Sequence, residues 1–323
     1  MSFEITLWDV GQGDCSTIRL PNGEYVIIDT GAIGSPVVDW IDRFRPMIHA
    51  IVLTHNDSDH AGSLASILDL CPERIRTVYM LRDRDSNDPK FANLFRLACE
   101  REKKGLRLLR LEVGAYIWRS GTGDTELYVR HPSMSGNENA STPNNTSGII
   151  TLSAGGRIRF IWAGDCSVPR VRRCCGAAQP DVLIGPHHGG PRRAQDLSSI
   201  RALQELSPKN VYISVGTGNG HGHPYPAYIK QLEISGCDVR CSQLTPQCCE
   251  KRSAAGGAIF PSHMLLGLPP PRRGTSCRGP TRYVLDGDAL ATDQLDSLHQ
   301  EKITQLGNAM CLNFRRLRTD KSA

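Results

Sequence analysis

Thr54-His55-Asn56-Asp57-Ser58-Asp59-His60-Ala61-Gly62 follows the apolar run Ala50-Ile51-Val52-Leu53 and places four candidate metal ligands within six residues. The apolar run reads as a buried strand and the polar residues as a loop at its carboxyl edge, with Gly62 easing the chain into a helix that begins near Ser63. A loop that only caps a helix needs one short polar side chain such as Asp59, not four ligands alternating in spacing. Imidazole and carboxylate together suit zinc, manganese or iron. Two acids beside two histidines can hold a pair of divalent ions that share ligands.

Other apolar runs end in the same way. Asp9-Val10-Gly11-Gln12-Gly13-Asp14 closes the first run with two glycines, which permit a tight turn where backbone N–H groups and Asp14 face one point. Ile27-Ile28-Asp29 ends in an acid that either orients a metal-binding histidine from behind or caps a turn. Trp162-Ala163-Gly164-Asp165 offers one carboxylate able to bridge two ions, or a plain turn aspartate. Val182-Leu183-Ile184-Gly185-Pro186-His187-His188 presents two histidines whose side chains should point apart. One is expected to bind metal and the other to meet substrate; His187 is taken as the ligand and His188 as the catalytic group, with the reverse left open. His223 follows a strand at 210–215 and a glycine-rich loop. The recurrence of Asp, His and Gly at one edge of the sheets is what an open α/β active site requires.

The chain has 323 residues, 39% apolar and 22% charged, which suits one large soluble core with an added segment. Apolar runs fall well short of the ~18 residues that span a bilayer, so no membrane insertion is expected. Phe3-Glu4-Ile5-Thr6-Leu7-Trp8 alternates like a strand and has no signal-peptide pattern, which points to the cytoplasm. The twelve cysteines are scattered or adjacent, lack C-x-x-C pairs, and are expected as reduced thiols. A formal charge of +5 permits a nucleic-acid partner without demanding one.

Strands are expected at 3–9, 15–20 and 24–29 as an antiparallel meander. Strand and helix then alternate, with helices at 36–45, 60–70 and 89–104 and strands at 49–53, 76–80, 107–112 and 125–130. After a polar loop at 133–147 the pattern repeats, with strands at 148–153, 157–163, 181–185, 210–215 and 237–241 and helices at 194–206 and 225–235. Residues 1–261 are read as one α/β domain. Residues 262–323, with Pro269-Pro270-Pro271-Arg272-Arg273, are read as a basic linker and polar appendage containing a helix at 289–307.

With these motifs in order, the chain resembles the metallo-β-lactamase fold superfamily, and most of all the soluble hydrolase domain of ComEC-type competence proteins, which act in DNA uptake. The resemblance runs over residues 3–260, through D-V-G-Q-G-D (9–14), I-D-T-G (28–31), T-H-N-D-S-D-H-A-G (54–62), N-N-T-S (144–147), A-G-D (163–165), P-H-H-G-G (186–190) and G-H-P-Y-P (222–226). It implies an α/β fold, an αββα sandwich of two mixed sheets flanked by helices. It also implies two divalent ions, zinc or manganese, held by His55, Asp57, Asp59, His60, Asp165 and one of His187 and His188. Asp14, Asp29, Asn145 and Ser147 would touch substrate or support the ligands. The chain departs from the family in Ser63 and Gly190 and in the basic segment Cys166–Arg173 after A-G-D. The membrane-channel segments of full ComEC-type proteins have no counterpart in these residues, so no transport role is implied.

The chemistry implied is hydrolysis of a phosphodiester, with a nucleic acid as the leading substrate. Asp59 binds metal and aligns water, and His188 and His223 steady the oxyanion or protonate the leaving oxygen. Arg170, Arg172, Arg173, Arg192 and Arg193 stand near the motifs as a basic cluster or a solvated face. A small ester, thioester or lactam substrate, or a regulatory module with a structural metal, is the alternative.

Overall fold

The computed structural model describes residues 1–81, 89–132, 143–190, 197–248, 262–306 and 309–313. The chain begins with β1 (Ser2–Leu7), β2 (Cys15–Arg19), β3 (Tyr25–Thr30), α1 (Pro36–Phe44), β4 (Ile48–Val52), α2 (Ser58–Ala61), α3 (Leu64–Leu70), β5 (Thr77–Met80), α4 (Pro89–Glu102) and β6 (Arg107–Arg110). The antiparallel meander β1–β2–β3 forms as expected, and β3 through β6 continue it in parallel. The second half follows the same plan. β7 (Tyr116–Arg119), β8 (Thr125–His131), β9 (Ile149–Ala154) and β10 (Arg157–Trp162) pair antiparallel. After α5 (Val168–Cys175), the strands β11 (Val182–Ile184), β12 (Asn210–Ile213) and β13 (Asp238–Cys241) add on in parallel, with α6 (Leu197–Leu206) and α7 (Pro226–Ile234) between them.

Period-two alternation assigns the faces. In β1, Phe3, Ile5 and Leu7 point toward the second sheet; in β3 and β4, Val26, Ile28, Ala50 and Val52 do the same, while Ile27 and Ile51 point outward to the helices. The inward set meets Ile150, Leu152, Phe160, Trp162 and Ile184 of the second sheet. On the outer faces, Val37, Trp40 and Ile41 of α1 and Leu64, Ile67 and Leu68 of α3 recur at helical spacing against the first sheet. Val171, Leu203, Ile229 and Leu232 cover the second sheet from α5, α6 and α7. These layers are the αββα sandwich. No helix among the described residues is long and apolar enough to cross a membrane.

Four local expectations change. The helix read at 60–70 is α2 and α3, broken at Gly62-Ser63, where a Cβ on residue 62 would stand 2.3 Å from the Ser58 carbonyl oxygen. The basic segment after Asp165 is helical as α5, although among its residues only Val168 and Val171 are buried and carry an apolar signal. The short strand β7 was not anticipated; of the expected loop at 133–147, residues 133–142 lie outside the described residues and 143–146 form a single 3₁₀ turn.

The largest correction concerns residues 262–323. Beyond α8 (Ser262–Leu265), β14 (Thr281–Asp286) pairs antiparallel with β1 along its whole length, β15 (Ala289–Thr292) pairs with β14, and α9 (Asp296–Thr304) follows. The first sheet therefore runs β15-β14-β1-β2-β3-β4-β5-β6 and the second β13-β12-β11-β10-β9-β8-β7. Tyr283 and Leu285 alternate into the inter-sheet core. The expected helix at 289–307 divides because the Asp293 carboxylate accepts from the backbone N–H groups of Arg282 and Leu295 and turns the chain there. Arg278, fully buried, donates to Asp293 and Asp296 and to the Pro280 carbonyl. Of this segment, the described residues 262–306 are therefore built onto the sandwich rather than hung from it as an appendage.

Two predictions follow from this closure. A chain ending at residue 261 leaves the β1 edge unpaired and Phe3, Ile5 and Leu7 partly uncovered, and should aggregate on expression; a soluble 1–261 fragment with a cooperative melt would refute it. The second concerns Asp9, which accepts from Gln243 Nε2 at 2.8 Å, the Gly11 N–H at 3.3 Å and Ser276 Oγ at 2.6 Å. Burial pushes its carboxyl up to about 6, against those hydrogen bonds. Its folded form thus keeps a proton that the unfolded chain gives up, so its contribution is full below about pH 4 and is lost as pH rises through about 6. Asp9→Asn preserves the acceptor to Gln243 and should flatten the fall in stability between those values by on the order of 2–3 kcal/mol. Parallel stability curves for the two proteins in urea would exclude this.

Candidate metal centre

The carboxyl ends of five strands converge. β4 delivers His55, Asp57, Asp59 and His60; β10 delivers Asp165; β11 delivers His187 and His188; β12 leads to His223; and the β1–β2 turn brings Asp14. Close approach of these loops depends on Gly13, whose φ of +128° suits glycine and where a Cβ would stand 2.1 Å from the Asp59 carbonyl oxygen.

Asp165 sits in the middle with its two carboxylate oxygens turned to different groups. Oδ1 is 3.3 Å from His60 Nε2 and 3.6 Å from His188 Nε2, and His188 Nε2 is 3.3 Å from Asp59 Oδ2. Oδ2 is 3.6 Å from His55 Nε2 and 3.7 Å from His187 Nε2, and His55 Nε2 is 3.6 Å from Asp57 Oδ2. His55, His60 and Asp165 each offer an atom within 4.8 Å of the others, and so do Asp14, His60 and His188.

Behind three of these imidazoles stands an acceptor that fixes the ring. His60 Nδ1 donates to Asp29 Oδ2 at 2.8 Å, and His188 Nδ1 donates to the Ser214 carbonyl at 3.0 Å. His55 Nδ1 donates to Thr54 Oγ1 at 3.1 Å, because that hydroxyl spends its own proton on Asp29 Oδ2 at 2.7 Å. Each ring therefore presents the lone pair of Nε2 inward, the tautomer a metal needs. His60 Nε2 and His188 Nε2 face each other at 3.2 Å, a distance that either one shared proton or a cation between them satisfies. His55 Nε2, Asp165 Oδ1 and Asp14 Oδ1 are buried without a hydrogen-bond partner. Such orphaned atoms fit a divalent cation.

Charge distribution says the same. Burial and the neighbouring His60 oppose the charged form of His55, yet the carboxylates of Asp165 and Asp57 push it up to about 9. His60 is raised further: burial opposes it, but Asp29 and Asp165 prevail. Asp165 is held well below the usual carboxylate range, where His60, His55 and His188 overcome burial. Burial raises Asp14 to about 6 in spite of His188 and His60. Without a metal these imidazoles gather protons to balance the acids. A bound cation would take over that role.

The structure gathers the expected residues and revises the reading of two. His187 and His188 were expected to diverge. Both instead adopt left-handed backbone, φ 51° and 52°, in a turn that directs the two rings to opposite oxygens of Asp165. His188 is the more buried of the two, and its Nε2 lies 3.3 Å from Asp59 Oδ2 and 3.2 Å from His60 Nε2. Asp29 lies behind His60, and its φ of 55° turns its carboxylate under Thr54. Ser147 is buried, with its carbonyl accepting from His131 Nδ1 and Cys166 Sγ. The side chain of Asn145 lies outside the described residues; its neighbour Asn144 brings Nδ2 to 3.4 Å from His187 Nε2. Arg192 and Arg193 also lie outside the described residues. Arg172 pairs with Glu205 at 2.8 Å and so is not a free cation. Reading by motif passed over two positions, Thr54, which carries the Asp29 anchor, and Gln12, whose Nε2 stands 3.4 Å from His223 Nδ1. A polar residue immediately before the first ligand was the available signal for Thr54.

Fold and site together define an αββα sandwich whose sheet edge carries a histidine and carboxylate cluster suited to divalent metal. A sequence model described as the Metallo-beta-lactamase superfamily matches residues 8–194, more than half of the chain, and the chain belongs to that superfamily. It is 25% identical over 236 residues to ComE operon protein 3 of Bacillus subtilis (strain 168), an alignment covering 66% of this chain and 28% of that protein. A shorter stretch of 78 residues, 22% of this chain, is 31% identical to Recombination protein 2 of Haemophilus influenzae and covers 10% of it. The chain thus spans a minor part of the relatives it matches. Among solved structures, the metallo-beta-lactamase fold protein YhfI from Bacillus subtilis aligns at 12% identity with a TM-score of 0.46, covering 75% of this chain and 96% of that one.

Asp29→Asn tests the support behind His60. The amide keeps the shape but offers a donor where an acceptor is required, and zinc affinity, measured by chelator competition, should fall about 10–100-fold while the circular dichroism spectrum is unchanged. Unaltered affinity would show that His60 is held otherwise.

Proposed function

We propose that the chain is a two-metal phosphodiesterase acting on nucleic acid. The observation that carries this reading is the Asp165 carboxylate with each oxygen turned to its own donor set, which is how one acid serves two ions. His55, Asp57, His187 and Asp165 Oδ2 would hold one ion, and Asp59, His60, His188 and Asp165 Oδ1 the other. Zinc or manganese suits such nitrogen and oxygen donors. When bound, the ions supply an activated water and positive charge opposite the phosphoryl oxygens.

The chain's own groups do the rest. Asp59 is partly exposed and kept ionised: burial resists this, but the hydrogen bond and charge of His188 and the charge of His60 lower it. It can therefore accept a hydrogen bond from the attacking water and fix its direction. His223 is buried among imidazoles, and burial first and then the charges of His188 and His187 push it down to about 4, so it is neutral at physiological pH. The Gly216 N–H reaches Gln12 Oε1 at 3.4 Å, which turns the amide so that its Nε2 donates to His223 Nδ1. His223 then carries its proton on Nε2 and serves as a neutral donor to the developing oxyanion. Asn144, beside His187 at the rim, is placed to contact substrate. The likeness to a competence-protein sequence and the half-exposed Arg170 and exposed Arg173 on α5 support a polyanionic substrate over a small lactam or ester.

The test is cleavage of end-labelled and circular DNA and RNA by metal-free protein supplied with Mn²⁺ or Zn²⁺. Metal-dependent cutting is expected, reduced to background in Asp165→Ala and Asp59→Ala. Tightly bound metal with no cutting of any polynucleotide, together with turnover of small esters or thioesters, would replace this substrate class; full activity in both variants would refute the two-metal mechanism itself.

A further inference from the structure

Far along the chain from the motifs, four cysteines and a histidine face one pocket between the parallel end of the second sheet and the C-terminal segment. Cys241 ends β13, Cys248 follows in the turn after Thr245, Cys277 precedes the buried Arg278, His299 lies in α9, and Cys311 lies beyond it; all five line the same cavity. Backbone bonds from Cys277 N–H to Ser242 O, 2.8 Å, and from Arg278 N–H to Cys241 O, 2.9 Å, set Cys241 and Cys277 side by side. Cys277 Sγ is 3.4 Å from His299 Nε2. Cys248 and Cys311 both pack on the two apolar clusters that meet here.

Cys277 is buried and Cys241, Cys248 and Cys311 are half-buried; one or two such thiols are ordinary core material. Four, brought from separate segments of the chain beside an imidazole turned toward one of them, are a soft donor set of the kind that holds zinc. Burial foremost, and then the other sulfurs, keep the thiols of Cys241 and Cys277 well above the ordinary thiol range, so in the absence of a cation they remain protonated.

We propose that Cys241, Cys248, Cys277 and Cys311 bind a zinc ion distinct from the His/Asp centre, with His299 hydrogen-bonding the Cys277 sulfur, and that this ion clamps the C-terminal segment to the edge of the second sheet. Among the described residues only the two His/Asp groups already have three donors within 4.8 Å of one another, so the thiols close on the ion by rotating about their Cα–Cβ bonds. Each Zn–S bond forms as its thiol releases a proton to water, four protons for four thiolates. The location gives the ion a structural use. Cys241 belongs to the second sheet, whereas Cys277 leads into β14 of the first, so the clamp joins the two sheets where the chain crosses between them.

Cobalt substitution separates this site from the first, because thiolate-to-cobalt charge transfer absorbs in the near ultraviolet and histidine or carboxylate ligands give no such band. Titrating metal-free full chain with Co²⁺ should produce the band in the wild type, in Asp165→Ala and in Cys166→Ser, and weaken or abolish it in Cys277→Ser and Cys311→Ser. Elemental analysis of Cys277→Ser should show about one zinc per chain fewer than the wild type, as expected for loss of one structural site. No thiolate band in the wild type overturns the proposal, as does a band that survives at full intensity in both cysteine variants or disappears in Cys166→Ser. Should the variants fail to fold, the wild-type, Asp165→Ala and Cys166→Ser spectra decide the question.

Discussion

Everything at this site hangs on the burial of a cluster of carboxylates and imidazoles that must be balanced by protons or by a cation. Asp165 is nearly inaccessible, and its Oδ1 has no hydrogen-bond partner although four imidazoles surround the carboxylate. In a purely structural ion-pair network the rings would donate to it, yet those of His55, His60 and His188 have committed their Nδ1 protons to Thr54, Asp29 and Ser214 in the opposite direction. The fold thus fixes one donor behind each ring and leaves Nε2 in front to take a proton or a cation. Leaving buried acceptors opposed to one another is unfavourable by several kcal/mol unless a proton or a cation joins them. The arrangement suits a divalent cation among these groups, with protons on the rings in its place when none is bound.

The strain is carried by backbone that sequence periodicity does not reveal. Asp29 at φ 55° and the successive left-handed residues His187 and His188 hold conformations that are uncommon away from glycine. Each is braced: Asp29 by its bonds to Thr54, and His188 by its bond to the Ser214 carbonyl. The flanking Gly189 and Gly190 lie against Pro224 and the Tyr228 ring, so the turn is pressed onto the segment that carries His223.

Much of this was legible in the sequence, for a physical reason. Strands buried on both faces are continuous apolar runs, and a polar cluster at the end of one has no structural excuse, so 50–62, 160–165 and 182–190 each announced both a strand and its ligands. The places that were not legible share a different reason. β14 has the pattern T-R-Y-V-L-D, in which only Tyr283 and Leu285 enter the core, and its partner β1 lies some 280 residues earlier; nothing local distinguishes it from a polar tail. The direction of His187 relative to His188 depends on φ, which residue type does not specify unless the residue is glycine. α5 is hard to read because its three arginines and Pro169 make a short segment polar on average, although its two valines share one face.

The C-terminal strands also reach the chemistry. Gln243 and Ser276 donate to Asp9, and Gln243 Oε1 accepts from the Thr217 N–H, so one amide joins the first turn of the chain to the loop that leads to His223. Gly274 lies against that amide with no room for a Cβ, which would fall 1.8 Å from Oε1. Through Gly11–Gly13 the same turn sets Gln12 on His223 and lies against Asp59. The tail-like segment thus meets, through Ser276 and through Gln243, the turn that carries Gln12 and lies against Asp59. Its pairing on β1 closes the sheet, and its contacts with residues 9–14 transmit that closure to the site.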